Sequence, residues 1–169
     1  MLLMDAAIGG DASAFESLAS QHRAMIWSVC LRITGNTYDA EDALQDTLLA
    51  AWRSIGRFRR DSSFGTWIYR IAANAALAVS RARRSTDVEI PEFLATERDF
   101  AEKVSAADLV QQTLKVLPED LRVALVLREL CDFTYAQIAD YQDVPVATVK
   151  TRINRARRAF EQALSPDSL

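Results

Sequence analysis

The sequence predicts an all-α protein made of two small helical domains joined by a flexible acidic linker, and three features of the chain predict it. Apolar residues recur at spacings of three and four along most of the 169 residues, the period of an amphipathic helix. Only five glycines and four prolines punctuate the chain, which is otherwise filled by runs rich in Ala, Leu, Arg, Glu and Asp. Between residues 86 and 107 the period weakens, acids dominate and Pro91 interrupts, so that stretch reads as linker with at most transient helix. The expected boundaries are 1–85, 86–107 and 108–169. No convincing strand pair is present, and a hydrophobic fraction of 50% is ample for packed helical cores.

Phe15, Leu18, His22, Met25, Ile26, Val29, Cys30 and Ile33 form the first strong stripe, which stops at Thr34-Gly35-Asn36. A second helix follows. Asp39 is placed to cap it, Glu41 and Asp42 favour its first turn, and Leu44, Leu48, Ala51, Trp52 and Ile55 make its buried side. The Arg57–Ser63 stretch breaks the period and leads into a third helix from about Phe64 to Arg84, whose core residues are Trp67, Ile68, Ile71 and Ala75. After the linker, Leu109–Val116 opens the second domain. Leu117-Pro118-Glu119-Asp120 restarts a helix with Pro and two acids in its first turn.

Residues 134–158 read as two short helices joined by a tight turn, the second densely basic. Ile138, Ala139, Val144, Val149 and Ile153 supply the inner face, and Asp143 and Pro145 supply turn and helix start. Thr148, Lys150, Thr151, Arg152 and Arg155 are expected to project outward. A helix of this kind enters the DNA major groove, where Arg, Lys and Thr donate to base edges or phosphates. The net charge of −3 does not oppose that reading, because charge is segregated along the chain. Residues 53–84 carry eight Arg against one Asp, residues 145–169 are also net positive, and residues 87–108 hold seven acids against two bases.

Only Cys30 and Cys131 are present, both within apolar helical patterns, which fits two buried thiols in a cytoplasmic chain. Neither forms a CxxC pair, and the single His22, on an apolar stripe, completes no zinc set, so no metal and no cofactor are expected. No apolar run approaches the roughly 20 residues that span a bilayer, and Met1–Met4 lacks the form of a signal peptide. A phosphate-cradling glycine loop and a nucleophile paired with a base are both missing, so the chain does not read as an enzyme.

Taken together and in order, three segments resemble the extracytoplasmic-function (ECF) group of bacterial sigma factors in the sigma-70 family. Asp39–Asp46 followed by Trp52 resembles region 2.2, Phe64–Asn74 resembles regions 2.3 and 2.4, and Leu117 through Arg157 resembles region 4. The resemblance implies a transcription initiation factor that binds core RNA polymerase and directs it to promoters. By position, Asp42, Gln45 and Asp46 resemble the residues that dock on the beta-prime clamp helices, with the beta subunit as further partner. Arg57, Arg59, Arg60, Ser62, Ser63, Phe64 and Asn74 are similar to the part that recognises and opens the minus-ten element. Thr148, Lys150, Thr151, Arg152 and Arg155 match the helix that reads the minus-35 element, and Arg122 matches a phosphate contact. An anti-sigma factor is implied as regulator.

Two positions depart from the family pattern. Ala78 stands where an acid is frequent, and Asp143 where the turn usually has Gly; Asp tolerates left-handed backbone, so the turn is expected to survive. A stand-alone helix-turn-helix regulator is the competing reading, but it leaves the Asp42/Gln45/Asp46 face and the Arg59–Ser63 loop without a role.

Overall fold

A computed structural model describes residues 2–86 and 105–165, and every described element is helical. The first half contains α1 (Leu2–Ile8), α2 (Ala12–Thr34), α3 (Thr37–Ser54), a 3-10 turn (Ile55–Arg57) and α4 (Phe64–Ser85). The second contains α5 (Ala106–Val116), α6 (Glu119–Glu129), α7 (Tyr135–Gln142) and α8 (Val146–Ala163). The acidic linker expected over 86–107 falls, for residues 87–104, outside the described residues. From Ser105 onward the chain is already structured, because Ser105 and Asp108 form a reciprocal capping box at the start of α5.

Local chemistry sets the helix ends. Asp11 accepts from Ala14 N at 3.1 Å to start α2, and Gly35, at φ 87°, ends it by donating to Leu31 O. Asn36 caps α3, accepting from Asp39 N at 2.9 Å. The sequence reading put Asp39 at that cap. Instead its carboxylate is buried three residues into the helix, where it accepts from Asn36 Nδ2 and pairs with Arg83 of α4 at 2.7 Å.

Helices α2, α3 and α4 pack mutually around Ile26, Val29, Cys30, Ile33, Leu44 and Ile68, with Ala40, Ala43, Ala51, Ala72, Ala73 and Ala76 keeping the axes close. Gly65 serves the same end, since a Cβ there would lie 3.2 Å from the His22 ring. Trp52, expected in this core, is 36% exposed and leans its ring on Phe15 at the edge. In the second half, Val123–Leu127 of α6 are all buried and meet Phe133, Ile138, Val149, Ile153 and Ala156. The turn between α7 and α8 closes at Asp143 with φ 53° and ψ 52°, so the Gly-to-Asp departure is absorbed by a left-handed aspartate.

The halves also touch. The C-terminal end of α2 packs on α5 and α6, and side chains of α4 reach α6 and α7. Phe133 is fully buried between α6 and the helix-turn-helix. Its replacement by Ala should cost about 3–5 kcal/mol, read as a lower midpoint in urea unfolding followed by circular dichroism.

Candidate nucleic-acid and polymerase interfaces

Three separate faces carry the residues singled out from sequence. The first is the outer side of α3. Asp42, Gln45 and Asp46 are exposed there because the stripe Ala40, Ala43, Leu44, Thr47 and Ala51 faces α2 and α4. No hydrogen bond or ion pair within the described residues holds any of the three. Leu49, 49% exposed, continues the same face one turn on. Sequence reasoning passed over Leu49, although its signal is simple: it is a leucine off the buried stripe and beside acids. Unpaired polar groups around a bare apolar side chain suit a protein partner better than water.

The second face begins at the loop between the 3-10 turn and α4. Arg57 and Arg59 are exposed, and Arg60 adopts φ 62° and pairs with Asp5 of α1. Ser63 is the N-cap of α4, accepting from Thr66 N at 3.1 Å, and Ser62 is half-buried beside it. Behind this polar rim lies an aromatic wall. Phe58 and Trp67 have ring centroids 5.0 Å apart, Phe64 and Trp67 5.5 Å, and His22 and Phe64 5.3 Å. Phe64 itself is buried, so the aromatic side chains of this wall with surface open to a base are the half-buried Phe58 and Trp67, with His22 half-buried beside them. Cations beside exposed aromatic surface are what a single strand needs for backbone neutralisation and stacking. Asn74 is exposed ten residues further along α4, about 15 Å by helix rise, and its Oδ1 accepts from Tyr141 of α7 at 2.9 Å.

His22 stands behind the wall, its Nδ1 2.8 Å from the Tyr69 hydroxyl. Burial holds its pKa below the ordinary 6.5. Burial likewise pushes Cys30 and Cys131 up to about 12, so both remain thiols at neutral pH. Among the described residues no group of three potential ligands gathers for a metal ion, and no helix is long and apolar enough to cross a membrane.

The third face is α8. Lys150, Thr151 and Arg155 are exposed and Thr148 half-buried, while Val149, Ile153 and Ala156 lock the opposite side into the core. Lys150 Nζ lies 6.0 Å from the centre of the Tyr135 ring, and Arg128 sits 4.8 Å from the same centre. Arg152 does not project outward as expected. It donates to Gln142 Oε1 at 2.9 Å and lies 3.4 Å from Asp120, tying α8 to α7 and α6. Arg122 is apart from this face altogether. It is half-buried at the junction of the two halves and donates to Ile33 O at 2.8 Å and Leu117 O at 3.0 Å. The cause is tertiary: the last carbonyls of α2 lack helical partners, and a guanidinium at the start of α6 satisfies one of them.

Comparison with known proteins identifies the family of the two halves. A model described as sigma-70 region 2 matches residues 18–86, and one described as sigma-70, region 4 matches residues 107–160. RNA polymerase sigma-H factor of Pseudomonas aeruginosa is 39% identical over 93% of this chain and 89% of its own length. The ECF RNA polymerase sigma-E factor of Escherichia coli K12 is 37% identical over 93% and 90%. The chain therefore belongs to the sigma-70 family, in its ECF group, and is a sigma-type transcription initiation factor. Among solved structures, CnrH in complex with the cytosolic domain of CnrY is 26% identical with a TM-score of 0.70, covering 96% of this chain and 95% of that one. The sigma factor RpoE in complex with the anti-sigma factor NepR from Bartonella quintana has a TM-score of 0.72 at 23% identity, over 90% and 98%, and shares the fold.

The His22 environment sets a pH dependence. Its folded pKa lies below that of the unfolded chain, so the unfolded state takes up the proton first as pH falls below 6.5. Stability should therefore be level above about pH 7 and decline below 6.5. In His22→Gln that part of the decline should disappear when urea midpoints at pH 7.5 and 5.5 are compared.

Proposed function

We propose that the chain joins core RNA polymerase through α3, opens the minus-ten element with the loop and start of α4, and reads the minus-35 element with α8. The observation that carries this is the division of labour on one chain. An unpaired acidic face, a cationic loop backed by aromatic rings, and a basic recognition helix sit on three different surfaces, and only a factor that bridges polymerase and duplex uses all three.

On α3, Asp42, Gln45 and Asp46 offer carboxylates and an amide to a basic partner helix, with Leu49 as the apolar centre. The beta-prime clamp helices are the proposed receptor, with the beta subunit contacting the second domain. At the minus-ten element, opening needs a base removed from the stack at a cost of a few kcal/mol. Arg57, Arg59 and Arg60 hold the backbone, Ser62 and Ser63 offer hydrogen bonds, and the wall around Phe64 receives the displaced base, with Asn74 further along the strand. At the minus-35 element, Lys150, Thr151 and Arg155 face base edges and phosphates, and Thr148 stands at the start of the same helix. Arg152 braces the recognition helix from behind in the described conformation, and Arg122 reaches phosphate only once it leaves the α2 terminus. The chain acts by positioning and not by catalysis. An anti-sigma factor is the proposed regulator, on the strength of the complexes formed by CnrH and RpoE.

Incubation with bacterial core polymerase and a library of promoter fragments, followed by sequencing of transcript 5′ ends, tests the whole reading. Transcripts should start at a fixed distance from a shared two-part motif; stable operator binding with no affinity for core polymerase would refute it. Within that assay Arg155→Ala should reduce promoter-specific initiation about tenfold, as expected for loss of one base or phosphate contact, with polymerase binding retained. Asp42→Lys combined with Asp46→Lys should do the reverse, weakening polymerase association at unchanged helicity.

A further inference from the structure

The exposed side of α4 is not free in this structure. Arg70 donates to Asp140 of α7 at 2.6 Å and to Gln137 O at 3.3 Å. Arg81 donates to Glu119 of α6 at 2.7 Å, and Arg84 pairs with the other oxygen of the same carboxylate. Between these two contacts Asn74 accepts from Tyr141. Every partner comes from the helix-turn-helix half. The spacing is informative too: Arg70, Asn74, Arg81 and Arg84 line one side of α4 over about four turns, and the carboxylates engage the cations at both ends of that line.

We propose that Glu119 and Asp140 are an internal stand-in for DNA phosphate, so that the second domain and promoter DNA compete for one face of α4. The proposal rests on the reading that α4 binds promoter DNA. A carboxylate meets a guanidinium with the same two-oxygen geometry that phosphate uses, so Arg81 and Arg84 on Glu119 reproduce a phosphate clamp. Asn74, the polar residue assigned to the minus-ten element, is occupied by the neutral hydroxyl of Tyr141. On the other side of the same contact Arg122, assigned to phosphate at the minus-35 element, is occupied by Ile33 O. One closed arrangement thus engages Asn74 of the first domain and Arg122 of the second, and leaves the outer face of α8 open.

The closed form is also built to open. Its contacts to α4 are hydrogen bonds and ion pairs with one exposed member each, Arg81 and Arg84 being 64% exposed against 24% for Glu119, and Asp140 75% against 33% for Arg70, so water and salt reach one side of every pair. A polar cavity of about 390 Å³ lies between α4 and the second domain, lined by Asn74, Arg81, Glu119, Asp120, Tyr141 and Arg152, so this part of the junction is not a packed core. Burial alone would raise the Glu119 carboxyl, yet hydrogen bonds and charge from Arg81 and Arg84 outweigh it and hold the group below its ordinary value. The Glu119 carboxylate is therefore charged throughout the neutral range.

The full-length chain carrying Glu119→Gln and Asp140→Asn tests this against wild type and against a charge-matched control, Glu16→Gln with Glu41→Gln. Two readouts are needed: radius of gyration by small-angle scattering, and binding of a labelled oligothymidylate by fluorescence anisotropy. Wild type at low salt should give about 15 Å, the value for a compact chain of this length, and the latch variant a clearly larger radius at the same helical content. Its oligothymidylate affinity should rise up to about tenfold, the gain expected if the closed form is some nine-tenths populated, with the control unmoved. Tyr141→Phe, which alters no charge, should raise affinity in the same direction. A radius unchanged in the latch variant overturns the proposal, as does a control that gains as much affinity. An opened chain with unchanged affinity shows that the contact does not cover the DNA face and overturns it too. If neither wild type nor the opened variant binds the oligonucleotide, the reading of α4 as a DNA surface fails with it, whereas an unchanged radius sinks the latch alone.

Discussion

The guanidinium of Arg122 is the point on which the arrangement of the two halves turns. It donates to Ile33 O at the end of α2 and to Leu117 O and Lys115 O at the end of α5, so three carbonyls from two helix ends converge on one side chain. Burial pushes its pKa down from the ordinary value, but an arginine side chain stays charged, and a charge removed from water must be repaid by hydrogen bonds. The unpaired carbonyls at helix ends are the groups best able to repay it. Beside it Gly35 ends α2 and lets the Lys115 side chain lie where a Cβ would come within 3.0 Å. Around this junction, Arg32 donates to Gln111 Oε1 and Gln111 donates to Leu31 O, so the end of α2 and the Gln111 amide of α5 exchange hydrogen bonds in both directions.

What was legible in the sequence follows the range of the interaction. Helix stripes, the turn at Asp143 and the opposition of Val149 and Ile153 to Lys150 and Arg155 depend on neighbours within a few residues, and periodicity states them directly. The short α1 left no such trace, because seven residues contain too few turns to show a period. Asp39 was misplaced for a related reason. A helix-start acid reads as a cap, and only the approach of Arg83 from another helix shows why it is buried. Trp52 was assigned to the core on spacing alone, but α3 ends near the rim, where Phe15 covers one side of the indole.

The site residues divide on the same line. Asp42, Gln45 and Asp46 stay on the exposed face because nothing in the chain calls them elsewhere. Arg122 and Arg152 are also cationic and also on helices of the second domain, yet both are drawn inward by carbonyl, amide or carboxylate oxygens. Those pairings span up to 89 positions and have no local signature. Sequence could place the residues on the right element without stating whether each side chain was free.

Charge segregation acquires a physical meaning from this. A chain with eight arginines between residues 53 and 84 and a second basic segment after residue 145 would repel itself if both surfaces faced each other. The helices between those segments carry Glu119, Asp120 and Asp140, and these are the acids that stand between α4 and α8. Beneath the net charge of −3 lie three alternating layers: basic α4, acidic α6 and α7, basic α8. On the proposed competition, such a stack exchanges its internal acids for phosphates when DNA is offered. The exchange conserves ion pairing while releasing counterions from the duplex, so salt concentration bears on both sides of it. Affinity for DNA measured on the free chain is then a difference between two electrostatic contacts, and the intrinsic strength of the α4 surface exceeds what that difference reveals.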